Sequence, residues 1–159
     1  MTFTQKVKRK FFRHIGLWPP LLGAGIKITK MQSDLKYLQV AMKLHVWNTN
    51  YVGTHYGGSL YSMTDPFYML MLMENLGRDY IVWDKSAFID FLKPGKGRVY
   101  ADFQLTDERI QEIKDYVDTH NKGLFDFEIE IKDKDENTIC KVTKTLYVRT
   151  KSSLRKKHS

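Results

Sequence analysis

Asn48-Thr-Asn-Tyr-Val-Gly53-Thr54-His55-Tyr56-Gly57-Gly58-Ser59-Leu60-Tyr61-Ser62-Met63-Thr64-Asp65-Pro66-Phe67-Tyr68-Met69-Leu70-Met71-Leu72-Met73-Glu74-Asn75-Leu76 is the stretch on which the architecture turns. Through Gly58 it is dense in turn formers, and from Ser59 to Leu76 it reads as helix. Leu60, Met63, Phe67, Leu70 and Met71 share one face of that helix, while Tyr61, Tyr68, Leu72 and Met73 cover much of the rest. A helix apolar nearly all round belongs inside other structure, so the flanking sequence must supply an enclosure.

The flanks read as strands. Ile26 to Met31 and Leu38 to Val46 alternate apolar with other residues, and Tyr80 to Trp83, Ser86 to Leu92 and Arg98 to Leu105 form a second set. Lys93-Pro94-Gly95-Lys96-Gly97 has the composition of a hairpin turn joining the last two. Thr106 can cap a helix that opens on Asp107 and Glu108 and ends near Gly123. Leu124 to Lys132 and Thr138 to Arg149 close the chain as long strands about the Asp133 to Asn137 turn. A short basic amphipathic helix, Phe3 to Ile15, is stopped by Trp18-Pro19-Pro20, and Gly23-Ala24-Gly25 opens the first extended segment. About six mostly antiparallel strands around one long helix is an α+β class. A single domain over 1–159 follows, with a helical insert at 106–122 and basic ends at 1–20 and 150–159.

At 42% hydrophobic and 28% charged residues the chain is too apolar for disorder. The net charge of +8 belongs to the ends: nine of the 26 basic residues lie in residues 1–14 and 151–159, leaving 17 against 18 acidic ones. A body near −1 lacks the footprint of phosphate-backbone binding, so no nucleic acid is expected. The basic ends keep a peripheral membrane or nucleic-acid contact as a minor alternative to solvated tails. Cys140 is alone, inside an alternating strand, and reads as a small buried hydrophobe. Met69 to Met73, the longest apolar stretch, is far too short to span a bilayer, and the N-terminus lacks the apolar core of a secretory signal. A cytoplasmic protein is the expectation. His14, His45, His120 and His158 stand at no metal-ligand spacing, and no phosphate-binding loop, dinucleotide fingerprint or nucleophile elbow is present, so no metal is expected.

Asn50-x-x-Gly53-x-x-Tyr56-Gly57-Gly58, with Asp65 seven residues after the second glycine, resembles the Asn-x-x-Gly-x-x-His-Gly-Gly-(x)-Asp segment of hotdog thioesterases of the phenylacetate-pathway type. Ser86 to Phe103 resembles that superfamily's strand pair around a Phe-Leu-(Lys/Arg)-Pro turn. From Trp18-Pro-Pro to the last strand the chain is similar to a bacterial hotdog family known only as a domain of unknown function. The resemblance implies a curved sheet around a central helix, an acyl thioester bound in a tunnel between two subunits, a homodimer or dimer of dimers, and no cofactor beyond the coenzyme A of the substrate. It assigns Asp65 as general base or nucleophile and Asn50 to positioning substrate or water.

Elementary chemistry supports part of that assignment. Gly57 and Gly58 at a helix start admit a ligand close to the backbone, where amides without intrahelical partners can hold a carbonyl oxygen as it becomes negative. Asp65 in an otherwise apolar helix needs a cleft or a partner, or else it marks a local break with Pro66. His55, Tyr56 and Tyr61 are candidate substrate contacts, and Lys93, Lys96 and Arg98 candidate partners for coenzyme A phosphates. Two departures stand out: Tyr56 replaces the histidine of His-Gly-Gly, and Pro66 follows the acid. An acyl-thioester hydrolase and a non-catalytic acyl or acyl-coenzyme A binder both fit. A hotdog dehydratase fits less well, because the His55 to Asp65 spacing is too short.

Overall fold

The computed structural model describes residues 12 and 14–152. The expected helix Phe3 to Ile15 and the tail beyond Ser152 lie largely outside the described residues. Strands β1 (Ile26–Met31), β2 (Tyr37–Lys43), β3 (Tyr80–Phe91), β4 (Arg98–Gln104), β5 (Lys122–Asp133) and β6 (Thr138–Thr150) form one sheet in the order β1-β2-β4-β5-β6-β3. Every pairing is antiparallel. Period-two alternation sends Leu38, Val40 and Met42 of β2, Val99, Ala101 and Phe103 of β4 and the even-numbered residues 140–148 of β6 to the same buried face.

Against that face lie α2 (Gly57–Ser62) and α3 (Phe67–Leu76), burying Leu60, Met63, Phe67, Met71 and Leu72. The sequence reads them as one helix from Ser59, but the chain divides at Met63–Pro66. Pro66 has no N–H to give the Ser62 carbonyl, and the preceding turn tightens, with Thr64 donating its amide to Tyr61 O at 2.8 Å. Helix α3 resumes with the Leu70 amide on Pro66 O. Beside it β4 and β5 share only three register pairs, Val99 to Ala101 against Ile131 to Asp133, and then diverge. Tyr68 fills the wedge, its ring 5.2 Å from that of Phe103 and 4.7 Å from that of Phe127. Helix α4 (Asp107–His120) covers the same region with Ile110, Ile113 and Val117, and Thr106 caps it by accepting from the Arg109 amide.

Three further expectations are corrected. Tyr80 to Phe91 is one strand, bulged between Asp84 and Ser86, not two. Strands β3 and β4 are not a hairpin: β3 pairs only with β6 at one edge of the sheet, whereas β4 sits between β2 and β5. The Lys93–Gly97 segment is a crossing connection, held by the Leu92 and Lys93 amides on Ile139 O. Its proline and glycines satisfy a crossing loop as well as a tight turn. Residues Pro19–Ala24 also form a short helix, α1, because proline suits a first helical turn and Gly25, at φ 75°, ends it in the left-handed region. Among the described residues no helix is long and apolar enough to cross a membrane.

Candidate active site

Asp65 stands on the break between α2 and α3 with its side chain 43% exposed. Its Oδ1 accepts from the Tyr61 hydroxyl at 3.0 Å and from Lys144 Nζ at 2.6 Å. Lys144 comes from the buried row of β6, between Val142 and Leu146, and its side chain is 1% exposed. The ammonium also meets Asp84 Oδ1 of β3 at 3.0 Å and lies 5.5 Å from the Tyr61 ring centre. Burial pulls the Lys144 proton affinity down, but the bonds it donates to the two carboxylates outweigh this and hold the ammonium above its ordinary value. Burial raises Asp84 despite the lysine, and burial likewise raises Tyr61.

Helix α2 starts at Gly57 after Tyr56, in extended conformation; the Ser59 and Leu60 amides bond Tyr56 O at 3.0 and 3.1 Å, while those of Gly57 and Gly58 have no preceding helical carbonyl to bond. Neither Gly57 nor Gly58 is among the glycines at positive φ, which are Gly25, Gly53, Gly77 and Gly97. Space, not backbone conformation, explains them. A Cβ on Gly58 would lie 2.4 Å from Cε1 of the Tyr56 ring, and one on Gly57 would lie 3.1 Å from Cζ of Phe91 at the end of β3.

The loop before α2 is built by Asn50. Its Nδ2 donates to Thr54 Oγ1 at 2.8 Å and to His55 O at 3.2 Å, and its Oδ1 accepts the amides of Val52 and Thr54. Those four bonds use the whole capacity of the side chain, so the structure gives Asn50 the task of shaping the loop and leaves it nothing for a substrate. His55 is buried and joins this loop to the β3–β4 connection: its amide donates to Gly95 O and its Nε2 meets Gly97 O at 3.1 Å. A carbonyl only accepts, so Nε2 carries the proton. Burial lowers the His55 proton affinity, and Nδ1 has no partner among the described residues.

A cavity of about 650 Å³ lies between the two loops, bordered by Asn50, His55, Gly57, Phe91, Lys93 and Lys96. A second, of about 560 Å³, is bordered by Asn50, Tyr56, Gly58 and Trp47. Arg98 is not grouped with Lys93 and Lys96. It sits opposite Lys43 on β4 and lines a separate cavity with Lys27, Lys43 and Trp47. Asp65 and Tyr61 border none of the three. The sequence places the glycines and the acid around one gap, whereas Asp65, on the turn after α2, borders neither cavity at the glycines. Burial pushes the Cys140 thiol up to about 11, consistent with packing and not with nucleophilic use.

Sequence reasoning missed Lys144 and Asp84. The signal for Lys144 was present as a charge in an otherwise apolar alternating row, Cys140, Val142, Lys144, Leu146 and Val148. Asp84 had none, since a bulged, exposed edge strand imposes no pattern.

The helix-bearing face of a six-stranded antiparallel sheet, wrapped around α2 and α3, makes this a hotdog-fold protein of the α+β class. The chain belongs to the family described as Domain of unknown function (DUF4442), whose model matches residues 7–148. Among solved structures, a protein of unknown function from Pseudomonas aeruginosa, described as a probable thioesterase, superposes with a TM-score of 0.77 at 16% identity, over 94% of this chain and 98% of that one. A thioesterase from Haemophilus influenzae gives 0.65 at 17% identity, over 94% and 93%. The PaaI protein of the E. coli phenylacetic acid degradation operon gives 0.58 at 18%, over 91% and 94%. At these identities the likeness is one of fold. No curated protein matches the sequence.

Proposed function

We propose that the chain is an acyl-thioester hydrolase acting as a homodimer, with acyl-coenzyme A as substrate. The observation that carries this reading is a half-exposed carboxylate, Asp65, fixed on Oδ1 by two donors at a break in an otherwise apolar helix. In the proposed reaction Asp65 takes a proton from water as the water oxygen bonds the thioester carbon. The carbonyl oxygen takes up negative charge beside the Gly57 and Gly58 amides, then re-forms its double bond as the C–S bond breaks with its electron pair on sulfur. The proton held by Asp65 goes to the departing thiolate.

Base and amides must both lie within about 3 Å of the reacting group, and in one chain Asp65 borders neither cavity at the glycines. Strand β3 supplies the remedy. It is a long edge strand with Trp83, Phe88 and Phe91 exposed, a surface that asks for a partner strand. Asp84, bonded to Lys144 beside Asp65, and Phe91, packed on Gly57, are seven residues or roughly 23 Å apart along β3. An antiparallel pairing about a two-fold axis midway lays the acid end of one strand against the glycine end of the other. Two composite sites result, each with the acid of one protomer and the amides of its partner. Lys93 and Lys96, beside the cavity at Gly57, suit the phosphates of coenzyme A.

The saturation of Asn50 favours a second reading, a non-catalytic acyl or acyl-coenzyme A binder. Assay of a panel of acyl-coenzyme A substrates with wild type and Asp65→Asn separates the two. The hydrolase reading expects turnover that falls by a factor of about 10² or more in the variant. Equal rates remove Asp65 from the mechanism, and tight binding without turnover establishes the binder.

A further inference from the structure

We propose that Lys144 is the positioning residue of the Asp65 base, pinning Oδ1 so that Oδ2 is the oxygen left to meet water, with Asp84 as the anchor that keeps the ammonium in place. The inference rests on the hydrolase reading above and adds to it a residue from the last strand and one from the edge strand.

Lys144 is hard to account for by stability. It occupies a position in a row whose neighbours, Val142 and Leu146, are fully buried, and a Met or Leu there would fill the same space without desolvating a charge. Replacing a buried ion pair whole by well-packed apolar groups is often neutral or stabilising, and both acids here keep access to water, at 43% and 32% exposure, so a lysine at 1% exposure has some other use. Its partners come from three different elements: Tyr61 on α2, Asp65 on the turn after it, and Asp84 on β3. One ammonium held between two carboxylates cannot swing away from either. Lys144 and Tyr61 converge on Oδ1 of Asp65, whereas no described residue bonds Oδ2. A carboxylate on a helix break has freedom that a helical one lacks, and this three-point arrangement removes it.

The test is steady-state kinetics on wild type, Lys144→Met, Lys144→Arg, Asp84→Asn, Asp65→Asn and the double variant Lys144→Met/Asp65→Asn, with thermal melting of each. A positioning role predicts that Lys144→Met lowers kcat by about 10² while KM moves by less than about threefold and the melting temperature stays within about 4 °C. Lys144→Arg recovers part of the rate. Lys144→Met/Asp65→Asn is no slower than Asp65→Asn alone, because Lys144 acts only through that carboxylate. Should Lys144→Met fail to fold, Asp84→Asn, which leaves the lysine and loosens its anchor, carries the same prediction with a smaller loss and the same non-additivity against Asp65→Asn. Wild-type kcat in Lys144→Met, or a further fall when it is added to Asp65→Asn, overturns the proposal while the hydrolase reading stands. Wild-type turnover in Asp65→Asn overturns both.

Discussion

Replacing Gly58 by alanine tests whether the glycine pair exists for a ligand or for the fold. The new Cβ would stand 2.4 Å from Cε1 and 2.9 Å from Cζ of the Tyr56 ring, against an ordinary contact of about 3.4–4 Å, so the ring must retreat by at least about 1 Å. Tyr56 is 60% exposed and is a side chain, not backbone, so it can move and forfeits little buried area when it does. Gly58 has an ordinary φ within α2, and alanine in a helix gains roughly 0.5–1 kcal/mol over glycine. The two effects offset, and the net change in stability should stay within about 1 kcal/mol, or about 4 °C in melting temperature. Activity should fall by about 10²–10³, the cost of losing an oxyanion donor, since the methyl group and the displaced ring both obstruct the Gly58 amide. Melting curves and acyl-coenzyme A kinetics on Gly58→Ala, Tyr56→Ala and the double variant decide the matter. The double variant should be at least as stable as Tyr56→Ala alone and remain impaired. A large melting loss that Tyr56→Ala does not relieve, or unimpaired hydrolysis by Gly58→Ala, refutes the argument.

The buried ring of His55 makes stability depend on acid. Burial depresses its proton affinity below the ordinary value of 6.5, so as pH falls below that value the unfolded chain takes up more protons than the folded one and the folded state loses ground. Urea denaturation at pH 7.5 and pH 5.5 should show a smaller loss for His55→Gln, which keeps an N–H for Gly97 O, than for wild type. On β3, Phe88→Lys puts a cation near the proposed two-fold axis, where it meets its own copy. Light scattering should find the variant monomeric and kinetics should find it inactive, and a fully active monomer would sink the composite site.

The architecture was legible because alternation is strong wherever one face of a strand is buried. Residues 38–42, 99–103 and 140–148 announce their inward sides, and their antiparallel neighbours follow. The edge strand was not legible in the same way. Beyond Val82, β3 is mostly exposed on both faces, so nothing in Trp83 to Phe91 distinguishes two short strands from one bulged strand, and composition alone cannot tell a hairpin turn from the crossing connection at 93–97.

The site was half legible for a related reason. Asp65 is conspicuous as a carboxylate in an apolar helix, and Lys144 is equally conspicuous as an ammonium in an apolar strand row, 79 residues later. Each alone is an unexplained charge in an apolar pattern. A lysine 1% exposed cannot sit unpaired in an apolar interior, so Lys144 requires an acid facing the buried side of β6. The helix that side faces, Ser59 to Leu76, offers two acids, Asp65 within its apolar stretch and Glu74 near its end. Charge neutrality in a low-dielectric core therefore narrows the partner of Lys144 to these two once the helix is placed against β6, and the 2.6 Å contact selects Asp65. The second acid has no such constraint: Asp84 lies on an exposed edge where a carboxylate needs no partner, and only coordinates reveal that it anchors the buried ammonium.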